Sequence, residues 1–431
     1  MKNITASRKR ACITLAVSAA LVATAAGCGS SSGGSAKSAT GNASLWMLQD
    51  PTNSVSQSAV DAYNATGPGK VSMNVIATDG YKDKLRTAMG SSAMPNIFFN
   101  WGGGSLSDYV KAGKLVTLDS DLKSHFLPSA LQAGTVDGKL VGVPSRGTQP
   151  VFLFYNKKVF TDAGVQPPKT WNDLLALVPV FKAKGVTPFA VAGTATDSWT
   201  ELMWIEYLVD RLAGPELFNK IAAGDWTQWK DPAILKTAQM VKQLVDSGAF
   251  GSNFASVSYG AGGTSTLLDK GKAAMVLMGS WEYATQQSAD PTFAKSGLGY
   301  VPFPSVAGGK GDPNDVVGNP TNYLSVTTSA PSETAAAFLK TTYSDSYVQG
   351  LVAKGEVPVT TNAKAALAKA PDPTYAMFQY NLVANAPSFT QSWDQALGLT
   401  LGTPLLTVIQ KLFNGQDTPE QFVSGVLAIK H

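Results

Sequence analysis

Short apolar strands alternate with helically spaced segments, and each strand stops on a polar or aromatic residue. This pattern limits the possible folds of the chain more than any other feature. The run Ser44-Leu45-Trp46-Met47-Leu48 reads as a strand ending at Gln49-Asp50. Helical spacing follows through Val55, Ala59, Val60 and Tyr63 and closes at Gly67-Pro68-Gly69. A second strand is predicted over 71–77, then a helix from Tyr81 to Met89 with Asp79 as its N-cap. A third strand, Asn96 to Asn100, stops at Trp101-Gly102-Gly103-Gly104. Strand–helix alternation of this kind predicts an α/β domain with a mostly parallel sheet. In such sheets a ligand lies beyond the carboxyl ends of the strands, which here carry Asp50, Asp79 and Trp101. The glycines after Trp101 lack the Gly-Lys-Ser/Thr ending and the spacing of a phosphate loop, so they read as a loop that leaves the indole accessible.

Ahead of this pattern stand Lys2, Arg8, Lys9 and Arg10, then an uncharged run from Ala11 closing on Ala25-Ala26-Gly27 and Cys28. A basic start, an apolar stretch and small residues at a cut describe a secretory signal. The stretch is also shorter than the roughly 20 residues that span a hydrocarbon core. Small residues ending on a cysteine resemble a bacterial lipoprotein signal, although Ala25 stands where that pattern has Leu or Val. The reading is a signal peptide over 1–27, a lipid on Cys28 and a Ser/Gly tether over 28–43 that reaches about 20 Å as a coil. Order is expected from Ser44, with the protein held at the outer face of the bacterial cell membrane. The alternative is an ordinary secreted protein with an incidental cysteine.

Composition narrows the chemistry. The only other cysteine, Cys12, falls in the leader, which leaves no thiol nucleophile, no disulfide framework and no zinc–cysteine site. The formal charge of +4 includes four basic residues of the leader, so the remainder is near neutral. Without a basic stripe, nucleic acid is not an expected partner. With 431 residues the chain is too long for one typical core, and two domains are expected.

The segment from Gly138 to Leu175 carries the most specific pattern. It reads as a hairpin (Leu140 to Val143, then Val151 to Tyr155), a short helix, a Pro-Pro break and a new helix capped by Thr170 with Asp173 at its third position. Its order of motifs resembles the sugar-binding branch of bacterial extracellular solute-binding proteins, the receptors of ABC importers that include maltose-binding protein. The matching residues are Gly142, Pro144, Tyr155, Asn156, Ala163, Gly164, Pro168, Thr170, Trp171 and Asp173. Pro95-Asn96-Ile97-Phe98, Gly271-Lys272-Ala273-Ala274-Met275, Met278-Gly279-Ser280-Trp281 and Val357-Pro358-Val359 extend the resemblance over nearly the whole chain after the leader.

This resemblance implies an α/β, two-lobed, periplasmic-binding-protein-like fold with a ligand cleft between the lobes and multiple interlobe crossovers. Lobe I would hold 44–149 and 318–368, and lobe II 150–317 and 369–431. It also implies capture rather than catalysis: a monomeric receptor without cofactor or metal, which closes on an oligosaccharide and presents it to the permease subunits of an importer. A sugar cleft needs flat aromatics for CH faces and polar groups for hydroxyl rims. By resemblance, Trp101, Trp281 and Trp393 hold cleft aromatic positions, Gln149 a polar one and Asp50 an acidic one. Asp79, Asn53 and Asn322 are further candidates, and Glu282 and Asp394 adjoin two of the tryptophans. Trp199, after Asp197-Ser198, fits either cleft or core. Trp46, Trp171, Trp204, Trp226 and Trp229 are expected to pack, as most tryptophans do. Arg146 could serve the cleft or pin the hinge.

Two to three aromatic platforms suit a di- or trisaccharide. The segment Ser392-Trp393-Asp394-Gln395-Ala396-Leu397 is similar to one in actinobacterial lipoproteins for xylo-oligosaccharides. The alternatives are a receptor for a non-sugar solute and a lipid-anchored glycoside hydrolase using Glu282 and Asp394 as a carboxylate pair.

Overall fold

The computed structural model describes residues 39–431. The expected signal peptide and Cys28 lie outside the described residues. Order begins earlier than Ser44: Ala39 accepts a hydrogen bond from the Glu333 amide, and the first strand is Asn42–Leu48. The last residues assigned to the tether are therefore part of a sheet. None of the described helices is long and apolar enough to cross a membrane.

Two sheets organise the chain. The first has five strands in the order Lys70–Ile76, Asn42–Leu48, Ile97–Asn100, Tyr323–Val326, Val143–Pro144. Its first three strands are parallel and the last two antiparallel to their neighbours. The second is built on Gly147–Asn156, which pairs antiparallel with Ala273–Gly279, Leu298–Val301, Val316–Asn319 and Val357–Pro358. Thr187–Ala190 and Phe389–Gln391 complete it, each parallel to its neighbour. Each sheet has its own apolar core, one around Leu45, Phe98, Phe99 and Phe338, the other around Phe152, Phe154, Trp204 and Trp229. Strands buried on both faces read as continuous apolar runs, as in Ala273–Gly279.

The first sheet's strand Val143–Pro144 and the second sheet's Gly147–Asn156 are separated only by Ser145 and Arg146. The expected hairpin does not form, because its two halves belong to different lobes. The hairpin present is shorter, Thr135–Val136 with Lys139–Leu140. The chain crosses again between Asn319 and Tyr323, and a third connection runs through Glu356 to Val357–Pro358.

Local signals fare better where the chemistry is contained in a few residues. Thr170 and Asp173 form a reciprocal capping box on Trp171–Ala183, and Thr418 with Gln421 does the same for Pro419–Leu427. Asp79 is not the N-cap it was expected to be. Its helix is Thr78–Met89, and Asp79 sits in the first turn, where a carboxylate favours the helix dipole.

Candidate functional site

The carboxyl ends of the strands bring side chains of both lobes to one place. From lobe I come Asp50 after Asn42–Leu48, Trp101 after Ile97–Asn100, and Asp79 and Lys82 on the first turns of Thr78–Met89. From lobe II come Trp199 at the start of Trp199–Ala213, Trp281 at the start of Trp281–Ala289, and Tyr259 in a loop rich in small residues.

The lobe II aromatics form one cluster. The ring of Trp199 lies 4.9 Å from Tyr259, edge to face, and 6.2 Å from Trp281. All three are half-buried. The Trp281 ring lies over the end of its own strand: a Cβ on Gly279 would come within 2.0 Å of it, so only glycine permits this arrangement. Tyr259 is held by its backbone, whose N–H donates to Asp197 Oδ2 at 3.0 Å. Burial pushes the Tyr259 hydroxyl well above its ordinary range, and the charges of Glu282 and of Asp50 on the other lobe add to this. Hydrogen bonds with the side chains of Thr285 and Trp281 act the other way. Asp197 is raised by burial, opposed by hydrogen bonds from Thr194, Tyr259 and Ser258, and raised further by Asp79 across the cleft. Ser258 Oγ stands 3.5 Å from Asp79 Oδ2.

In lobe I, Trp101 packs edge-on against Tyr81 at 5.8 Å and Phe99 at 5.1 Å and remains half-buried. Lys82 Nζ lies 4.9 Å from its ring centroid. Asp50 accepts from the Thr52 amide and hydroxyl, both at 2.8 Å, and pairs with Arg146 at 3.2 Å. Arg146 Nε also donates to Glu356 Oε1 at 2.7 Å. Burial works against the Arg146 charge, but Asp50 and Glu356 outweigh it and hold its pKa above the ordinary value. This arginine pins the crossovers: its carbonyl accepts from Thr321 Oγ1 at 2.8 Å, and Glu356 also takes the Gly147 amide at 2.7 Å.

Several sequence candidates stand elsewhere. Trp393 is a core residue, 1% exposed, stacked on Phe218 at 4.4 Å and edge-on to Trp229 at 5.5 Å. Glu282 is sealed inside lobe II, where Gln286 and Ser265 donate to it at 2.7 and 2.9 Å. Burial pushes its carboxyl up to about 7 against those hydrogen bonds. Asp394 is bonded to Lys82 at 2.7 Å and to Gln395 at 2.7 Å. Asn53 shapes the end of the first strand, accepting from the Asp50 amide at 2.7 Å and donating to the Leu48 carbonyl at 3.0 Å.

Gln149 and Asn322 are buried in the crossover segments. Among the described residues, Asn322 Nδ2 and the neighbouring Asn319 Oδ1 have no hydrogen-bond partner. Buried atoms of this kind are where a bound water is expected.

Sequence reasoning missed Tyr259, Asp197, Lys82 and Glu356. For Tyr259 a signal existed: it is the one aromatic in Ser258-Tyr259-Gly260-Ala261-Gly262-Gly263, a stretch too poor in apolar residues to need it for a core. The others take their roles from contacts distant in sequence.

Comparison with known proteins agrees with this architecture. The family described as bacterial extracellular solute-binding protein matches residues 49–349. A structure from work on xylan utilization by Caldanaerobius polysaccharolyticus superposes with a TM-score of 0.82 at 26% identity, over 89% of this chain and 98% of that one. A chitin oligosaccharide binding protein superposes at 0.80 and 28% identity, over 90% and 97%. Among sequence relatives, a xylose/arabinose-binding protein of Haloferax volcanii is 27% identical over 49% of this chain and 46% of its own length. The chain spans about half the length of the curated relatives it matches.

Proposed function

Because the chain belongs to the bacterial extracellular solute-binding protein family, we propose that it is the receptor of an ABC sugar importer. It captures a di- or trisaccharide between its lobes and delivers it to the permease. The observation that carries this reading is a cluster of half-buried aromatics on lobe II that meets carboxylates of lobe I. Trp199, Tyr259 and Trp281 on lobe II form one cluster; Tyr259 feels the charge of Asp50 and its neighbour Ser258 stands 3.5 Å from Asp79, both on lobe I. Aromatic faces take the CH faces of pyranose rings, each contributing on the order of 0.5–1.5 kcal/mol beyond burial by analogy with aromatic pairs. The carboxylates take hydroxyls. Closure of a hinged cleft then adds the second lobe's contacts, as is general for binding proteins of this architecture.

A β-1,4-linked oligosaccharide, a xylo-oligosaccharide first, is the substrate class proposed. The xylan-related and chitin-oligosaccharide structures support it, since both polymers are β-1,4-linked pyranoses. Capture without turnover is supported by the state of the two carboxylates a hydrolase would use. Glu282 is sealed against Ser265 and Gln286, and Asp394 is paired with Lys82.

Calorimetric titration with xylotriose, chitotriose and maltotriose, with product analysis of the same samples, tests this. The expected result is saturable one-to-one binding of xylotriose or chitotriose with the sugar recovered intact. Shorter products after long incubation, or no binding of any of the three, would overturn the proposal.

Acylation at Cys28 would hold this receptor at the membrane. Cys28→Ser is expected to move the protein from the membrane fraction to the medium or leave it unprocessed. Identical fractionation of the two forms, with no lipid on the mature N-terminus, would remove the anchor.

A further inference from the structure

Lys82 makes a contact that neither a core nor a sugar platform requires. It stands on the helix Thr78–Met89 of lobe I, and its Nζ reaches Asp394 Oδ2 of lobe II at 2.7 Å while lying 4.9 Å from the centroid of Trp101. Asp394 follows the strand Phe389–Gln391 of the second sheet, and its side chain is 4% exposed against 35% for Lys82. A carboxylate this enclosed needs a cation or several donors. Among the described residues Lys82 is the one cation within ion-pair distance, with Gln395 Nε2 at 2.7 Å as the remaining donor.

The surroundings are fitted to the same contact. Gln391 Nε2 donates to the Trp101 carbonyl at 2.8 Å. A Cβ on Gly103 would meet the Gln391 amide at 2.6 Å, and one on Gly104 would meet the Gly398 nitrogen at 2.4 Å. Two segments far apart in sequence thus approach at backbone distance only because both are glycine there.

We propose that Lys82 is a positioning residue that clasps the two lobes: it ties the face of the Trp101 platform to the buried carboxylate of Asp394 and so favours the closed arrangement. The pair exists only while the lobes touch. Opening by a few ångströms separates the charges and hydrates both, and salt weakens a pair with one exposed member more than it weakens apolar packing. The effect on sugar affinity rests on the receptor reading above; the clasp between unliganded lobes does not.

Full-length protein carrying Lys82→Gln, which keeps most of the stem without the charge, is compared with Lys82→Arg, which keeps the charge. Two measurements are made in 50 mM and 1 M NaCl: dissociation of xylotriose and chitotriose, and hydrogen exchange of residues 101–106 and 391–398 without sugar. Lys82→Gln is expected to release sugar about tenfold faster and to speed exchange in both segments. Lys82→Arg should stay within about threefold of the parent. High salt should move the parent toward Lys82→Gln and leave that variant unchanged.

Exchange in Lys82→Gln equal to the parent at both salts overturns the clasp. So does tighter sugar binding by Lys82→Gln, which would mean that the lysine competes for the Trp101 face. If neither sugar binds the parent while exchange responds to Gln and not to Arg, the clasp stands and the sugar reading fails.

Discussion

Trp393 lies parallel to Phe218 at 4.4 Å inside the lobe II core, whereas Trp281 lies half-buried over Gly279 beside Trp199 and Tyr259. Truncation should therefore act on different quantities. Trp393→Ala removes a fully enclosed indole and is expected to lower fold stability by about 3–5 kcal/mol. Trp281→Ala should change unliganded melting little while weakening xylotriose or chitotriose binding at least tenfold, about 1.4 kcal/mol. Thermal melts without sugar and titrations with it separate the two, and a destabilised but normally binding Trp281→Ala would remove Trp281 from the site. In sequence these residues are near twins, since each follows Ser, precedes an acid and opens a helix: Ser280-Trp281-Glu282 and Ser392-Trp393-Asp394. What separates them is the partner each ring meets, Gly279 in one case and Phe218 in the other, and Phe218 is brought there only by the fold. The same limit explains Asp394, whose acid was readable and whose partner, Lys82, was not.

At the scale of elements, the helix Trp199–Ala213 carries a cost that its sequence pattern conceals. It is buried on nearly all sides yet contains Glu201, Glu206 and Asp210. Both carboxyl oxygens of Glu201 lack a hydrogen-bond partner among the described residues. Burial, with a smaller contribution from Asp197, pushes its carboxyl from an ordinary 4.5 up to about 8. The folded state therefore holds a proton that the unfolded chain has released between those values. The contribution of Glu201 is fully present below about pH 4.5 and is lost as pH rises through about 8. Glu201→Gln, neutral at every pH, should match the parent at pH 5 and exceed its stability at pH 9 by about 1–3 kcal/mol. Denaturant melts at the two pH values check this, and an equal difference at both would show that the carboxyl does not titrate as described. Elements defined by nearby residues were legible in advance, as at the capping boxes Thr170/Asp173 and Thr418/Gln421. The expected hairpin was not, because strand pairing is a long-range choice: Val143–Pro144 finds Tyr323–Val326, while Gly147–Asn156 finds Ala273–Gly279.

At the scale of the molecule, two sheets joined by several crossings depend on how those crossings are held together. Arg146 stands at the first crossing, bonds Asp50 at the end of a lobe I strand, takes Thr321 of the second crossing on its carbonyl, and pairs with Glu356 of the third connection. The two-lobed plan followed from resemblance across many short motifs, and Arg146 was open to either a cleft or a hinge role until these partners were known. Arg146 and Glu356 are both buried, so removing Arg146 leaves the Glu356 carboxylate without a cation, and removing Glu356 leaves Arg146 with Asp50 as its remaining ionic partner. Glu356→Ala also strips the acceptor from the Gly147 amide, and a loss of about 3–5 kcal/mol is expected. Arg146→Ala should lose a similar amount, because it exposes Glu356 and Asp50 to the same deficit. If the pair acts as one unit, the double variant should lose much less than the sum of the two, with a coupling of at least about 1 kcal/mol. Denaturant unfolding of the four proteins measures this directly. Additive losses would mean that the crossings are held independently and that Arg146 and Glu356 are merely neighbours at the hinge.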